Sequence, residues 1–461
     1  MTETIAAIAT AIAIGQGSVA IIRISGKEAL NIVKTISYFY SYPSWQTHRI
    51  LYGWIQDPNS KKFIDEVLIL VMLAPRSYTS EDVIEIQCHG GIITAKRILE
   101  VVLQQGARIA QPGEFTLRAF LNGRLDLSQA ESILTMINAK SEKVANLAAN
   151  NLKGKITKNI KYLKSTCLEI LSNIEFKIDF EEENPNHEFN NIEHRIKYLI
   201  DSIEEILSKG ANSYTLTNGV NICLLGRPNV GKSSLLNVLA QEDKSIVTHI
   251  PGTTRDIIEA ELLLEGIPIK LVDTAGLQNT HELIEQIGIV KAQDAARKAD
   301  LILLVLDVEK DWSQEEEEIT EKLQNLPTLI LINKVDLQST PEKHIKFLPR
   351  NYTKKENLIL TSTKNYYGIE ALKTAIVKLI QEKILQNQAA SDLLLNERQT
   401  SKFLNTKQSL EKVLHAIKYQ YPCDFWSIDL RKAINSLEEL TGEEVDEIIL
   451  NTIFSKFCIG K

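Results

Sequence analysis

The chain has 461 residues, of which 44% are hydrophobic and 24% are charged, a composition typical of a folded globular protein. Its formal net charge of -7 excludes a uniformly basic surface, so an RNA partner would need local basic patches or recognition by shape. The length predicts roughly two to four domains. The five cysteines lie far apart without a C-x-x-C pair, so their spacing predicts neither a zinc site nor a disulfide framework. A reducing cytoplasm fits this pattern best.

Two apolar segments bear on membrane insertion and targeting. The apolar start Ile5–Ile14 lacks the basic lead of a signal peptide. Runs such as Leu301–Leu306 are too short to span a bilayer. We therefore expect no membrane association.

The distribution of strand-forming runs, glycines and prolines divides the chain into four regions. β-rich runs mixed with glycine and proline predict an α+β domain at the N-terminus. Long stretches with few helix breakers predict a helical domain whose two halves pack together in space around an inserted α/β domain. The predicted regions are the α+β domain at 1–120, the helical halves at 121–215 and 380–461, and the insertion at 216–379.

Taken in chain order, the first elements are three strands, Ala20–Ile24, Val67–Leu73 and Val83–Gln87. The helical region then opens on Ser128-Gln129-Ala130-Glu131. A serine followed by a glutamate three residues later matches a capping box, because the two side chains satisfy orphan N–H groups at a helix start. This pattern predicts that a helix begins next to Ser128.

Region 216–379 alternates between strand and helix patterns. This alternation predicts a parallel sheet covered by helices on both faces. Helices are predicted at Glu282–Lys298 and Glu315–Leu323, and the acidic run Glu315–Glu318 is most simply a solvated helix start. The predicted strands are Val220–Leu225, Ile269–Val272, Leu301–Val308, Thr328–Ile332 and Leu358–Leu360.

The first of these strands is followed by Gly226-Arg-Pro-Asn-Val-Gly231-Lys232-Ser233, which matches the phosphate-loop pattern G-x-x-x-x-G-K-[ST]. A helix is predicted directly after it. Backbone N–H groups at a helix N-terminus favour phosphate, because the orphan donors and the helix dipole both attract anions. Lys232 is expected to reach the β- and γ-phosphates, and the Ser233 hydroxyl to bind magnesium.

Three further motifs follow later strands and predict a guanine-nucleotide site of the Ras-like type. In Asp273-Thr-Ala-Gly276, Asp273 is expected to hold magnesium through a water molecule and the Gly276 N–H to contact the γ-phosphate. Asn333-Lys334-Val335-Asp336 places a carboxylate where guanine offers two donors and adenine an acceptor, a mismatch that rejects adenine by roughly 10⁴ or more. Ser362-Thr363-Lys364 completes the base pocket. All follow strand C-termini, the edge at which open α/β sheets bind ligands.

Leu277 stands where a Ras-like GTPase carries its water-orienting glutamine. Hydrolysis therefore needs other help, and an arginine finger or equivalent cation contributes about 10³–10⁵ in rate. The residues leave three sources open: Arg255, a second cation or a residue of a partner.

The whole chain resembles the MnmE (TrmE) family of tRNA-modification GTPases. Departures from the family pattern are Ala11 for proline, Gln278 for arginine and Thr363 for alanine. The motifs that carry the resemblance span nearly the whole sequence: Ile22-Arg23-Ile24-Ser25-Gly26, Ser77-Tyr78-Thr79-Ser80-Glu81-Asp82, Cys88-His89-Gly90-Gly91, Pro112-Gly113-Glu114-Phe115, Arg118-Ala-Phe-Leu-Asn122 and the terminal Phe457-Cys458-Ile459-Gly460-Lys461.

For the nucleotide-binding domain, the resemblance implies that a potassium ion supplies the charge of an arginine finger. Asn229 and carbonyls of Thr248, Ile250 and Thr253 would hold this ion. Thr254 would join Ser233 on magnesium, and Glu285 would orient the attacking water. The full set of GTP-binding residues implied is Asn229, Val230, Gly231, Lys232, Ser233, Ser234, Thr248, His249, Ile250, Pro251, Gly252, Thr253, Thr254, Asp273, Thr274, Ala275, Gly276, Asn333, Lys334, Asp336, Ser362, Thr363 and Lys364.

For the N-terminal domain, the resemblance implies dimerisation and binding of 5-formyltetrahydrofolate or a related reduced folate, a one-carbon donor. The matching residues are Arg23, Glu85 and Arg124, with Lys461 from the C-terminus. Cations suit the glutamate carboxylates of a folate, and a carboxylate suits the paired donors of a pterin. Cys458 would be a thiol near the modified nucleotide, against the simpler interpretation of an exposed cysteine on a frayed tail.

The function implied by the resemblance is that of a potassium-activated, homodimeric GTPase of the cytoplasm. It would form a heterotetramer with the FAD-containing protein MnmG (GidA) and modify the wobble uridine of certain tRNAs at carbon 5 with a carboxymethylaminomethyl-type group. The alternative is an RNA-binding switch GTPase in ribosome assembly. Binding of a reduced formyl-folate separates the two, because the alternative has no folate site.

Overall fold

The structure is a computed structural model of the chain. It describes residues 3–11, 17–179, 190–242, 258–273, 299–310, 312, 316–317, 326–338, 358–384 and 393–461. Within these residues, no helix has both the length and the apolar character needed to cross a membrane. The chain forms two compact units: the first comprises Met1–Leu134, Ala149–Ile200 and Lys402–Lys461, and the second Thr135–Ala148 and Asp201–Ser401. The four-region division stays a prediction.

The strands and helices are numbered in chain order. The strands are β1 (Ile5–Ile8), β2 (Val19–Ser25), β3 (Ser37–Tyr38), β4 (Arg49–Gln56), β5 (Phe63–Met72), β6 (Val83–His89), β7 (Arg108–Ile109), β8 (Val220–Leu225), β9 (Ile258–Leu264), β10 (Ile267–Asp273), β11 (Leu301–Asp307), β12 (Thr328–Asn333) and β13 (Leu358–Leu360). The helices are α1 (Ala29–Ile36), α2 (Ile92–Gln104), α3 (Glu114–Leu121), α4 (Leu127–Ile137), α5 (Glu142–Leu152), α6 (Lys155–Asp179), α7 (Asn190–Gly210), α8 (Ser213–Asn218), α9 (Lys232–Glu242), α10 (Ile369–Leu379), α11 (Glu397–Lys418), α12 (Cys423–Thr441) and α13 (Glu447–Phe454).

The first unit contains a seven-stranded sheet in the order β3-β4-β5-β6-β2-β1-β7. Neighbouring strands are antiparallel except β1 and β7, which are parallel. Alternate residues of β2, namely Ala20, Ile22 and Ile24, are fully buried in a core shared with α1 and α2. This alternation is expected of a strand with one face against a core. The three strands predicted in the N-terminal region correspond to β2, β5 and β6.

Helices from distant parts of the sequence pack together in the first unit. Lys164 of α6 forms ion pairs with Glu438 of α12, at 2.8 Å, and with Glu443. Burial opposes the charge of Lys164, but the two carboxylates outweigh it and raise the pKa of its ammonium group. Charged contacts therefore join helices that are far apart in the chain.

A capping box begins α4, in a different register from the predicted one. Asp126 Oδ1 accepts a hydrogen bond from Gln129 N at 2.9 Å, and Gln129 Oε1 accepts one from Asp126 N at 3.0 Å. This reciprocal arrangement satisfies two orphan donors. The prediction that Ser128 and Glu131 form the box is wrong, because Ser128 lies inside α4 and its hydroxyl donates to Asp126 Oδ1. An overlapping acceptor–x–x–glutamine pattern starts two residues earlier.

The second unit contains a six-stranded sheet in the order β13-β12-β11-β8-β10-β9. All neighbours are parallel except the hairpin of β9 and β10. Every residue of β11 is buried, as expected for a parallel strand covered on both faces. The C-terminal ends of the parallel strands lie at one edge, where the motifs follow. The predicted fold class, an α+β N-terminal domain with a helical region and a Ras-like P-loop α/β domain, is confirmed.

The prediction missed strand β9. It pairs with β10 through a two-residue turn, Glu265-Gly266, whose φ angles are 47° and 78°. Two consecutive positive φ values are characteristic of the type I′ turn, which matches the twist of a two-stranded hairpin. Glycine at the second position was the available signal, and it lies between two strand-like runs.

Candidate functional site

The phosphate loop connects the C-terminal end of β8 to the first residue of α9. Both of its motif glycines have positive φ, 142° at Gly226 and 101° at Gly231. A Cβ atom at Gly226 would lie 2.2 Å from the Val305 carbonyl oxygen, and one at Gly231 would lie 2.3 Å from Asn333 Nδ2. The loop therefore requires glycine at both positions, for conformation and for close approach to β11 and β12.

Lys232 folds back over the loop that precedes it. Its ammonium group donates to the carbonyl oxygens of Gly226 at 2.6 Å and Arg227 at 2.7 Å, and the residue is 3% exposed. Ser233 and Ser234 follow in the first turn of α9, whose N–H groups and dipole face the loop. Asn229 has a left-handed φ of 65°. The arrangement is suited to enclosing phosphate groups with backbone donors and one lysine.

The loop is tied to the base-recognition motif through Asn333. This side chain is fully buried, and its Nδ2 donates to the Val230 carbonyl oxygen at 2.9 Å. The Thr361 hydroxyl lies 3.4 Å from Asn333 Oδ1. Lys334 has a left-handed φ of 65°, and its ammonium group contacts Asp307 Oδ2 at 2.8 Å. Phosphate and base recognition are thus parts of one hydrogen-bonded structure.

Asp336 lies in a 3₁₀ turn, Val335–Leu337, that follows β12. The buried Ser362 hydroxyl donates to Asp336 Oδ1 at 2.5 Å. This hydrogen bond is the main cause that lowers the pKa of the Asp336 carboxyl, with Lys364 and Lys334 adding to it. Asp336 is therefore an anionic acceptor at neutral pH, as guanine recognition requires. Ser362, Thr363 and Lys364 belong to the turn after β13.

Asp273 is the last residue of β10 and lies opposite Leu224 of β8 in the parallel register. Its backbone is thus beside the strand that leads into the phosphate loop. The remaining predicted residues of this domain lie outside the described residues: Thr248, His249, Ile250, Pro251, Gly252, Thr253, Thr254, Arg255, Thr274, Ala275, Gly276, Leu277, Gln278 and Glu285.

The sequence interpretation of the acidic run was wrong for Glu316. This residue is 4% exposed, and its Oε2 accepts a hydrogen bond from Arg227 Nη2 at 2.6 Å. A charge at the second position of the phosphate loop is therefore paired with a buried carboxylate rather than solvated. No sequence signal assigned Glu316 this partner, because 89 residues separate the two.

In the first unit, Arg23 and Glu85 lie opposite each other on β2 and β6. Arg23 Nε contacts Glu85 Oε1 at 2.7 Å, and Arg23 Nη1 donates to the Gly460 carbonyl oxygen at 3.1 Å. Gly460 has a φ of 95°, and a Cβ there would lie 2.6 Å from the Ile8 carbonyl oxygen. The C-terminal tail therefore lies against β1, and Lys461 follows directly.

Tyr78 joins this pair to Arg124. The guanidinium carbons of Arg23 and Arg124 lie 5.3 Å and 4.9 Å from the centre of its ring, within the range of a cation–π contact. Its hydroxyl lies 2.9 Å from Thr116 Oγ1, and its carbonyl oxygen accepts from Arg124 Nη1 at 3.0 Å. Tyr78 belongs to the family motif Ser77–Asp82, and its contacts with both arginines add it to the predicted site residues.

Cys458 lies in the tail that reaches this cluster. Its thiol is exposed, and its carbonyl oxygen accepts hydrogen bonds from Gly113 N at 3.5 Å and Lys461 N at 3.3 Å. The backbone of the tail is therefore hydrogen-bonded to the N-terminal region, which argues against a frayed end. All five cysteines of the chain are free thiols.

A parallel sheet that presents a phosphate loop and an Asn-Lys-x-Asp turn at one edge defines a P-loop protein that binds guanine nucleotides. Residues 127–458 match the family described as MnmE helical domain, and residues 4–124 match the family described as GTP-binding protein TrmE N-terminus. The chain therefore belongs to the MnmE family of tRNA-modification GTPases.

Relatives and one solved structure are similar to this chain. The tRNA modification GTPase MnmE of Trichormus variabilis is 46% identical over 463 residues, covering 100% of this chain and 99% of that protein. The protein of the same description from Synechocystis sp. is 45% identical over 461 residues, covering 100% of both. A solved structure titled a probable GTP-binding protein engB is 25% identical with a TM-score of 0.29, covering 35% of this chain and 100% of that chain.

Proposed function

We propose that this GTP hydrolase acts with a FAD-containing MnmG (GidA) partner to modify the wobble uridine of certain tRNAs at carbon 5. The group added is of the carboxymethylaminomethyl type, and a formyl-tetrahydrofolate-type donor supplies one carbon when it is bound. The enzyme works in the cytoplasm as a potassium-activated homodimer within a heterotetramer. Free thiols throughout the chain suit a reducing compartment.

The phosphate loop supports the GTPase part of this proposal. Lys232 and the N-terminus of α9 are arranged to neutralise phosphate charge, and Asp336 is arranged to accept from guanine. Ser233, with Thr254, would hold magnesium. Because Leu277 replaces the expected glutamine, a cation held by Asn229 and the next loop would supply positive charge.

The remaining ligands proposed for that cation are the carbonyls of Thr248, Ile250 and Thr253. Glu285 would hold the attacking water in line with the γ-phosphate. In this scheme, the chain positions water, phosphate and base, and it provides charge where the transition state develops it. Hydrolysis would change the contacts between paired domains and would not supply the carbon that is transferred.

The observation that carries the modification part is the cluster of Arg23, Glu85, Tyr78 and Arg124 against the C-terminal tail. Arginines and a carboxylate at one site suit a ligand with carboxylates at one end and paired N–H donors at the other, as in a reduced folate. Lys461 is adjacent and adds a cation. An RNA-binding switch GTPase in ribosome assembly has no need of such a cluster.

An exposed apolar face on β4 and β5 supports the homodimer. Ile50 and Tyr52 of β4 are 64% and 65% exposed, and Leu68 of β5 lies opposite Tyr52 in the register. Alternating residues of one sheet face point the same way, so these side chains form a continuous apolar surface. Such a surface is typical of protein–protein contact, and a second copy of the chain is the partner that family membership favours.

The first test is GTP turnover in potassium and in sodium at equal ionic strength. We expect the rate to collapse in sodium. Asn229→Ala should lose the potassium stimulation but keep most of its nucleotide affinity, because the backbone donors and Lys232 remain. Equal rates in the two salts would contradict the cation role.

The second test is nucleoside analysis of tRNA from cells that lack this protein. We expect wobble uridines without the carbon-5 substituent. Unchanged wobble uridines together with a ribosome-assembly defect would favour the alternative function. Binding of 5-formyltetrahydrofolate to the purified protein, with Arg23→Ala as the variant, gives an independent measurement of the folate site.

A further inference from the structure

A basic pocket of about 470 Å³ opens beside the ring of Tyr78. Arg124 belongs both to this pocket and to the cluster around Arg23, because it lines the pocket and its guanidinium group lies over the ring of Tyr78. The residues that line it are His48, Met72, Pro75, Arg76, Ser77, Tyr78, Ser80, Asn122, Gly123 and Arg124. Only one of them, Arg124, is a predicted folate-binding residue.

The charge of this pocket is one-sided. Two arginines and a histidine line it, and none of its lining residues within the described chain is acidic. Among the described residues, Arg76 and Arg124 have no carboxylate partner. The adjacent acids are occupied elsewhere: Glu81 accepts from Arg118 at 3.0 Å, and Asp82 accepts from Ala74 N at 2.9 Å.

Hydroxyl and amide groups add neutral donors at the same place. Ser77, Ser80 and Asn122 also line the pocket, where the Ser77 hydroxyl donates to the Glu81 carbonyl oxygen and Asn122 Nδ2 donates to the Thr79 carbonyl oxygen at 2.7 Å. The arginine forks, the Ser80 hydroxyl and the second N–H of Asn122 form a donor set that matches carboxylates. The lining residues come from three separate segments of the first unit, so the charge is gathered by the fold.

We infer that this pocket binds the γ-linked glutamate tail of a polyglutamylated reduced folate. This inference rests on the proposed folate function. Glu85 and Arg23 would take the pterin end, Tyr78 and Arg124 would lie along the middle of the ligand, and Arg76 and His48 would meet the tail. Each additional glutamate brings one more carboxylate into a pocket whose arginines have no acidic partner.

The position of the pocket favours a folate tail over an RNA phosphate. It shares Tyr78 and Arg124 with the proposed folate cluster, so one ligand can reach both. A bound nucleic-acid backbone would instead be expected to follow an extended basic surface, and this chain has a net charge of -7. The expected contribution of the glutamate tail to affinity follows from exposed ion pairs, each of which changes affinity by about two- to fivefold.

The experiment compares two ligands on the full-length protein. Equilibrium binding at low salt would be measured for 5-formyltetrahydrofolate with one glutamate and for its triglutamate. We expect the wild type to bind the triglutamate roughly two- to fivefold more tightly, because Arg76 forms an ion pair with an added carboxylate. Arg76→Ala should abolish most of this preference and leave the affinity for the monoglutamate near that of the wild type. Combining His48→Gln with Arg76→Ala should reduce the preference for the triglutamate further.

The matched control is Arg97→Ala, which removes an exposed arginine of α2 outside the pocket. It should keep the full preference. Equal wild-type affinities for both ligands would overturn the tail site while leaving the folate function intact. No binding of either ligand would overturn both. If Arg76→Ala weakens tRNA binding but keeps the triglutamate preference, the pocket serves a phosphate backbone and the inference is wrong.

Discussion

The hydrogen bond between Asn333 and the phosphate loop is open to direct test by Asn333→Ala. The asparagine is fully buried, and its Nδ2 lies 2.9 Å from the carbonyl oxygen of Val230, a residue that is 1% exposed. Alanine would leave this carbonyl without its donor, which costs about 1–3 kcal/mol for a buried group. Gly231 packs directly against the same amide, so loss of this hydrogen bond destabilises the conformation of the loop.

In the variant, the nucleotide-free loop relaxes because the hydrogen bond from Asn333 is missing. Nucleotide binding must then restore the ordered loop conformation. The expected result is then a dissociation constant for mant-GDP that rises roughly 5- to 150-fold. Stopped-flow fluorescence would measure association and dissociation separately, and we expect the change mainly in dissociation. Thr361→Val is the matched control, because the contacts of the Thr361 hydroxyl at 3.4 and 3.5 Å are long. It should change the affinity less than about threefold.

A dissociation constant within twofold of the wild type, measured on folded Asn333→Ala protein, would refute this reasoning. Thermal unfolding in the absence of nucleotide shows whether the bond stabilises the fold as a whole or the nucleotide-binding conformation of the loop. A large loss of stability without a change in affinity would mean that the bond between β12 and the loop stabilises the fold and not nucleotide binding.

Three further predictions concern base recognition, hydrolysis and stability. Asp336→Asn should weaken GTP binding by about 10²-fold or more and improve binding of xanthine nucleotides, because an amide cannot accept from both guanine donors; competition against mant-GDP would show this. Glu285→Ala, at a position outside the described residues, should lower the single-turnover rate in potassium by about 10²–10⁴ and leave nucleotide affinity unchanged. Arg118→Met should lower the free energy of unfolding in urea by about 1.5–3 kcal/mol, because Glu81 and Glu114 lose charged hydrogen bonds from a side chain that is 2% exposed, while Glu114 keeps its pair with Arg108.

Each of these predictions has an outcome that contradicts it. Wild-type GTP affinity in Asp336→Asn, with no gain for xanthine, would remove the base-pocket assignment. A near-normal rate in Glu285→Ala would move the search for the water-orienting group to Arg255 or the partner protein. For stability, Arg431→Ala is the control, because its pair with Glu175 is exposed and should contribute less than about 1 kcal/mol. Equal losses in Arg118→Met and Arg431→Ala would contradict the role of burial.

Elements whose causes are local could be predicted from the amino-acid sequence. The strand Val220–Leu225 has its predicted bounds, and the loop after it needs glycine at Gly226 and Gly231 for reasons of backbone conformation. The order of the motifs at strand ends also followed from the chain, because parallel strands bring their C-terminal ends to one edge. The long motifs, in the order typical of the family, were enough to predict family membership.

Which charged side chains are buried, and which residues they pair with, depends on the folded chain. Glu316 looked solvated in an acidic run, yet it is buried against Arg227, 89 residues away in sequence. Asn333 contacts Val230 across 103 residues, and Arg23 meets Gly460 across 437. Hydrophobic period and local propensity report only on neighbours along the chain. The partner of a buried polar group is set by the packing of distant segments, which is why the pocket beside Tyr78 appeared only in the folded chain.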